Sequence, residues 1–342
     1  MPGMTERRAV RHRGMTLAEG DDAADCLAWA APRRRTLRVL RAVARLAGIA
    51  VWIPLSVGFE AGLLLVPGTA KIRWTPVIWG GLCRLLSVEI RVIGKRAGSV
   101  GGAAARARGE RPVIYVANHS SWLDVPVLGA VLPSVFVAKG DIGAWPLMGT
   151  AARIGRTIFV SRQRSTTGRE RDEMIGRLIG GDNLILFPEG TSSDGSRVLP
   201  FMSAFFAIAK IPALRKGSEG EPPPLTYDDG MAPLIQPISL VFDRLDGLNV
   251  NRNRRPVFSW YGDMDLAPHL WQLVQWRSMR ASVILHPVLD PADFPGRKAL
   301  AQAAWTAVAD GAAQLRRNAD ITDPPPAPLG RDAGRDPGRD WD

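Results

Sequence analysis

The sequence predicts an α/β fold, with a mostly parallel central sheet flanked by helices and an N-terminal membrane-associated helical hairpin. Three observations lead there. From about residue 110 onward, short β-branched runs alternate with helical patterns, the rhythm of strands joined by crossover helices. Ahead of them lie two apolar stretches, 46–68 and 74–86, separated by only a few residues. Hydrophobic residues make up 46% of the 342-residue chain, enough to bury the core of one large domain with an appendage.

Residues 1–32 are predicted to form a flexible N-terminal tail. In "PRRRTLRVLRAVARL", Arg34, Arg38, Arg41 and Arg45 recur at helical spacing beside Leu37, Leu40 and Ala44, which makes a basic amphipathic helix suited to a lipid surface. The stretch that follows, "LAGIAVWIPLSVGFEAGLLLVPG", is long enough to cross a bilayer but contains Pro54, Glu60 and Pro67. The second, "WTPVIWGGLCRLL", carries tryptophans suited to a membrane interface. Arginines precede the first stretch, and Lys71 and Arg73 follow it, so charge does not place its ends on opposite sides. Residues 33–100 therefore read as a shallow hairpin in the cytoplasmic leaflet, with a single span as the alternative. The apolar stretch begins too late for a signal peptide, and no small-residue cleavage pattern follows it.

Candidate strands follow at 113–117, 135–138, 157–161, 184–187, 234–241 and 282–288, and candidate helices at 121–131, 165–180 and 201–210. The run 217–230, "GSEGEPPPLTYDDG", is a loop by its proline and glycine content. The polar, proline-rich residues 317–342 are predicted to be disordered. In a parallel sheet, ligands gather outside the carboxyl ends of the strands, so the residues directly after each strand are where chemistry is sought.

Lysine and arginine number 44 against 33 acidic residues, a formal charge of +11 that favours anionic lipid, nucleic acid or an acidic protein as partner. Nucleic acid is the weakest of these, because the arginines cluster beside apolar segments and no aromatic-basic stripe or finger spacing occurs. Cys26 and Cys83 have no cysteine or histidine near them at metal-ligand spacing, so neither a disulfide framework nor a zinc site is expected.

Two segments carry the chemistry. "VIYVANHSSWLDVPVL", 113–128, ends a strand at Asn118 and His119, offers Ser120 or Ser121 as a helix N-cap, and puts Asp124 in the first helical turn. A carboxylate folding back from there onto one imidazole nitrogen fixes the tautomer and leaves the other nitrogen to take a proton. The spacing alone is a weak motif. "LILFPEGTSSDG", 184–195, again runs from strand to turn and places Glu189, Gly190 and Thr191 at another carboxyl end. The glycine permits close backbone approach, and the glutamate and threonine offer hydrogen bonds.

Taken together the chain resembles the glycerolipid acyltransferase family, which includes the 1-acylglycerol-3-phosphate acyltransferases. The family's first block is present at Asn118, His119 and Asp124, and its third at Phe187 to Thr191. The second is matched by Phe159 and Arg162 in "GRTIFVSR", although Arg156 occupies the place of its glycine and Gly155 precedes it. The fourth, a hydrophobic strand with a central proline, is similar to "LIQPISL" at Pro237. All four occur in family order over about residues 110–245.

The resemblance implies that 101–316 is an acyltransferase catalytic domain needing neither metal nor cofactor. His119 would be the general base on an acceptor hydroxyl that attacks an acyl thioester, with Asp124 orienting it. Asn118, Phe159, Arg162, Glu189, Gly190, Thr191 and Pro237 would line the substrate site. His286 is the rival histidine, expected to be structural within its strand. Phosphate-using relatives continue the third block with arginine, where this chain has Ser192 and Ser193. The runs "FPEGTSSDGSRVLPF" and "WYGDMDLAPHLW" are similar to the branch that acylates lyso-ornithine lipid. That branch implies acyl carrier protein as donor, the 3-hydroxyl of N-(3-hydroxyacyl)ornithine as acceptor, and the cytoplasmic face of a bacterial inner membrane as location. Lysophosphatidate is the alternative acceptor, and a non-catalytic basic membrane-binding module the more distant alternative.

Overall fold

The structure, a computed structural model, describes residues 32–66, 68–99, 102–139, 157–160, 167–209, 227, 230–319 and 321–325. Its centre is an eight-stranded sheet formed by β1 (Val88–Ile93), β2 (Val113–Ala117), β3 (Val135–Lys139), β4 (Ile158–Val160), β5 (Leu184–Leu186), β6 (Leu234–Leu245), β7 (Leu248–Asn249) and β8 (Met279–Leu285). The spatial order is β1-β8-β6-β2-β5-β3-β4, with β7 pairing back on β6. β6 runs antiparallel to β7 and β8, and all other pairings are parallel, so the sheet is mostly parallel as the sequence predicts.

The helices are α1 (Pro32–Leu64), α2 (Ala70–Leu86), α3 (Gly102–Ala107), α4 (Asp124–Val131), α5 (Thr167–Ile179), α6 (Leu266–Val274) and α7 (Arg297–Arg316). One face of the sheet packs under α2 and α4, where Leu82, Leu86, Leu123, Val127 and Leu128 meet Tyr115 and Leu240. On the other side, Leu300, Ala301, Ala303 and Ala304 of α7 join Met174, Ile175 and Leu178 of α5 over Ile114, Val116 and Leu184. With both faces covered, β2 and β5 are buried at every position, which is why they read as unbroken apolar runs rather than alternating ones.

Several local expectations need correction. The strand expected at 282–288 runs three residues earlier and leaves His286 just past its end. The helix expected at 201–210 is a 3-10 turn, Ser203–Ile208. α4 starts at Asp124 itself with Leu123, which has no polar side-chain atom, at the cap position, while the amides of Ser120 and Ser121 ahead of it donate to Asp124. β1 lies inside 33–100, so the sheet begins before residue 101.

The hairpin is antiparallel, with α1 rising as α2 descends. Leu85 closes over Gly48, the Trp52 indole fills the space left by Gly81, and Phe59 meets Trp74 with ring centroids 4.4 Å apart. A Cβ at Gly81 would stand 2.2 Å from the Trp52 ring, so only glycine fits there, and the indole Nε1 donates to the Ile78 carbonyl at 3.0 Å. The same device joins the hairpin to the domain, where a Cβ at Gly129 of α4 would lie 2.1 Å from the Trp79 ring.

The arginines of α1 do not form the free basic face that the sequence predicts. Arg41 donates to the Gln275 carbonyl at 3.0 Å, and Arg45 donates to the carbonyls of Val274 (2.9 Å), Trp276 and Arg277 (3.0 Å). These carbonyls lie at and just beyond the carboxyl end of α6, where the helix dipole is negative and guanidinium donors are favoured. Arg38 lies over the Trp276 ring, 5.3 Å from its centroid. Much of the outward surface is apolar: Leu37, Leu40, Val43, Val51, Leu55 and Phe59 are each more than half exposed, with Arg35 and Thr36 also exposed near the start. By length and composition Arg35–Leu64 could cross a membrane.

Candidate active site

Strand order brings the two sequence blocks together. β2 and β5 are parallel neighbours, so the turns leaving their carboxyl ends, 118–123 and 187–195, emerge side by side. The second turn is stitched onto the first, with the Ser193 amide donating to the His119 carbonyl at 2.9 Å. From the other flank the Trp260 amide donates to the Ser120 carbonyl at 2.8 Å.

Within this frame His119 Nδ1 lies 2.9 Å from Asp124 Oδ2. The same oxygen accepts the amides of Ser120 (2.7 Å) and Ser121 (2.9 Å), so the carboxylate is held by three donors and is fully buried. An ionised carboxylate only accepts, so the proton of the contact sits on Nδ1 and Nε2 keeps its lone pair. The His119 side chain remains 21% exposed. Its ring stacks on Phe187 with centroids 4.2 Å apart and planes 22° from parallel. A buried carboxylate fixing one nitrogen and an aromatic ring fixing the plane leave a partly accessible imidazole able to accept a proton.

Glu189 takes a different part from the one its motif suggests. Its Oε1 accepts the His119 amide at 2.8 Å and its Oε2 the Leu199 amide at 2.9 Å, so both oxygens brace the main chain around the histidine. Burial pushes its carboxyl up to about 7, against the opposing pull of those two amides. Asn118 is likewise engaged: its Nδ2 donates to the Leu240 carbonyl at 2.9 Å and its Oδ1 accepts the Leu240 amide at 2.8 Å, which extends the β2–β6 ladder by one rung beyond the strand. Pro237 is buried in β6 opposite Val116, and its carbonyl accepts the His286 amide at 3.0 Å.

Gly190 has φ +68°, a left-handed backbone that favours glycine, and the Met202 side chain lies over it. Thr191 beside it is exposed. Phe159 belongs to β4, at the sheet edge beyond β5 and β3, and Arg162 lies outside the described residues.

The other described histidines are structural. His286 is buried against Ser239 Oγ at 2.8 Å, and His269 accepts from Trp122 Nε1 at 3.0 Å while its own Nε2 donates to the Val257 carbonyl at 3.1 Å. Burial lowers both imidazoles to about 4, which keeps them neutral. Absent from the sequence reading was a pair of arginines, Arg255 and Arg316, which share a cleft with Ser120, Gly195 and Ser259. Arg316 ends an alanine-rich helix with no motif around it, so nothing local marks it.

The chain matches the Acyltransferase family over residues 98–216. It is 33% identical to the lyso-ornithine lipid O-acyltransferase of Brucella abortus (strain 2308) across 269 residues, 78% of this chain and 91% of that protein. The 1-acyl-sn-glycerol-3-phosphate acyltransferase of Neisseria gonorrhoeae is 30% identical across 208 residues, 59% of this chain and 70% of that protein. Among solved structures, the 1-acyl-sn-glycerophosphate acyltransferase PlsC from Thermotoga maritima shares the fold, with a TM-score of 0.56 at 18% identity over 83% of this chain and 98% of that one. With the ordered blocks, the fold and relatives matched over most of their length in agreement, the chain belongs to the glycerolipid acyltransferase family, as an acyltransferase akin to those that act on lyso-ornithine lipid.

Proposed function

We propose that the protein transfers a fatty acyl group from acyl carrier protein to the 3-hydroxyl of N-(3-hydroxyacyl)ornithine, forming ornithine lipid at the cytoplasmic face of a bacterial inner membrane. The observation that carries the chemistry is the His119–Asp124 contact at 2.9 Å on a buried, triply held carboxylate. His119 Nε2 takes the hydroxyl proton as the oxygen attacks the thioester carbonyl. The new C–O bond forms, the C–S bond breaks, and the imidazolium returns its proton to the departing thiolate. Asp124 holds the imidazole and stabilises its charged form without itself becoming protonated.

Support for the acceptor comes from the relatives' names and from Ser192 in the place where phosphate-using relatives carry arginine. Support for an acidic carrier-protein donor comes from the formal charge of +11. The outward apolar face of α1 supports attachment to lipid. Arg162, with Gly190 and Thr191, remains assigned to the acceptor head on its motif alone. Phosphatidic acid formation from lysophosphatidate is the second reading, favoured by the neisserial relative.

The test is a competition assay with equal amounts of the two acceptors and one acyl carrier protein donor. Wild-type protein is expected to consume lyso-ornithine lipid, and His119→Ala to lose at least ~100-fold in turnover while staying folded. Exclusive use of lysophosphatidate replaces the first reading with the second, and near-normal turnover by the alanine variant removes the dyad from the mechanism.

A further inference from the structure

We propose that the cleft carrying Arg255 and Arg316 is an oxyanion subsite for the acceptor's headgroup, supplying from the C-terminal part of the chain the cation that the third block lacks at Ser192. The proposal rests on the acyl-transfer reading above. The cleft is small and partly open to solvent, and is bordered by Ser120, Gly195, Phe258 and Ser259. Its position ties it to the acceptor. Ser120 directly follows the candidate base, Gly195 lies within the first of the two runs that pack on the histidine loop, and Ser259 directly precedes the second. Those runs, 187–201 and 260–271, are also the ones similar to the lyso-ornithine lipid branch.

The electrostatics of the cleft call for an anion. Arg255 Nη2 donates to the Arg316 carbonyl at 3.1 Å, which draws the two arginines together. Arg316 Nε is buried with no hydrogen-bond partner among the described residues, an arrangement a native interior rarely leaves unmet. Burial and the charge of Arg255 both lower the Arg316 pKa, and Arg255 is lowered in turn by burial and by Arg252. Two carboxylates oppose this, since Glu189 and Asp194 both act on Arg316. Both are already engaged elsewhere: Glu189 holds two amides, and Asp194 Oδ1 accepts from the Ser196 amide and hydroxyl at 2.9 and 2.6 Å. The cleft itself is lined by Arg255 and Arg316 and, among the described residues, by no carboxylate, and the nearby charges of Arg197 and Arg252 add to the positive side. A carboxylate or phosphate on the acceptor would meet guanidinium donors there, one of them with a buried N–H still to be satisfied.

The experiment compares each acceptor with a partner lacking its anion: lyso-ornithine lipid with its carboxyl methyl ester, and lysophosphatidate with monoacylglycerol. Full-length wild-type protein, Arg316→Gln and Arg255→Gln are assayed for acceptor KM, kcat and donor KM. Wild type should favour the acid over the ester by about 10- to 100-fold in acceptor KM, the range of charge-assisted hydrogen bonds. Either variant should cut that preference to about threefold or less, with the KM for acyl carrier protein unchanged. Whichever acceptor pair shows the effect identifies the oxyanion as carboxylate or phosphate. An undiminished acid-over-ester ratio in both variants, or a rise confined to the donor KM, overturns the subsite. Tryptophan fluorescence titration with the same four lipids reads binding without turnover. Should wild type acylate none of them, the acyl-transfer reading falls, and the titration still decides the subsite by whether the preference for the anion disappears in the variants.

Discussion

The side chain with the widest consequences in the candidate site is Glu189, because it links the main chain of the base to that of Leu199. Burial raises its folded-state carboxyl to about 7, whereas an unfolded glutamate titrates near ~4.3. The folded chain therefore keeps this proton to higher pH than the unfolded chain. The resulting stability is fully present below the unfolded value and is lost as pH rises through about 7. Urea unfolding of wild type and Glu189→Gln should show the wild type losing on the order of 2 kcal/mol relative to the variant between pH 5 and pH 8. A difference independent of pH, or one that grows in favour of wild type, is inconsistent with a carboxyl raised by burial. The sequence placed Glu189 and His119 at carboxyl ends of strands in one sheet, and the β2–β5 pairing brings those two ends together. The sequence could not reveal that both carboxylate oxygens face amides, because that depends on how the 193–199 turn folds back over the histidine. Asn118 poses the same difficulty: an amide after a strand looks available for substrate until β6 is found beside it, with the Leu240 backbone meeting both of its polar atoms.

Among the elements, the hairpin departs most from what its sequence suggests. Its seam is built from glycines that admit large rings, so a single added side chain tests it. Gly81→Val is expected to displace the Trp52 indole, break its bond to Ile78 and cost about 1–3 kcal/mol, seen as a lower urea midpoint and red-shifted tryptophan emission. Gly80→Ala, one residue earlier, meets nothing closer than 3.8 Å and should leave both unchanged. If the two variants behave alike, the indole does not pack at Gly81. The heptad-like spacing of Arg34, Arg38, Arg41 and Arg45 correctly marked a helix with a basic side. What periodicity cannot convey is the target of that side, which here is the carbonyl end of α6, more than two hundred residues away in sequence. β1 escaped notice for a related reason. "VEIRVI" alternates charged with apolar residues, sits directly after an apolar helix, and becomes a strand only by pairing with β8 near the far end of the chain.

At the scale of the whole molecule, the hairpin and the sheet form one body. Ala42 of α1 and Leu82, Cys83 and Leu86 of α2 belong to the same buried cluster as Tyr115 and Leu240, so removing the first hundred residues would open the core and delete an edge strand. Membrane attachment is better tested on the surface. Leu40→Glu combined with Leu55→Glu, at positions 60% and 66% exposed, should abolish most sedimentation with anionic vesicles while leaving the unfolding midpoint within ~0.5 kcal/mol of wild type. Undiminished sedimentation would place attachment on another face. The docking of Arg41 and Arg45 onto α6 has a mechanical consequence. α6 is gripped by α1 at its carboxyl end and, through His269 and Trp122, is tied to the loop that carries His119. The stretch of that helix from His269 to Val274, roughly 8 Å long, acts as a strut between α1 and the loop that carries His119. If the outer face of α1 seats in lipid, as proposed, this link fixes the height of the His119 imidazole over the bilayer, and an acceptor hydroxyl held well above or below that height would lie beyond its reach.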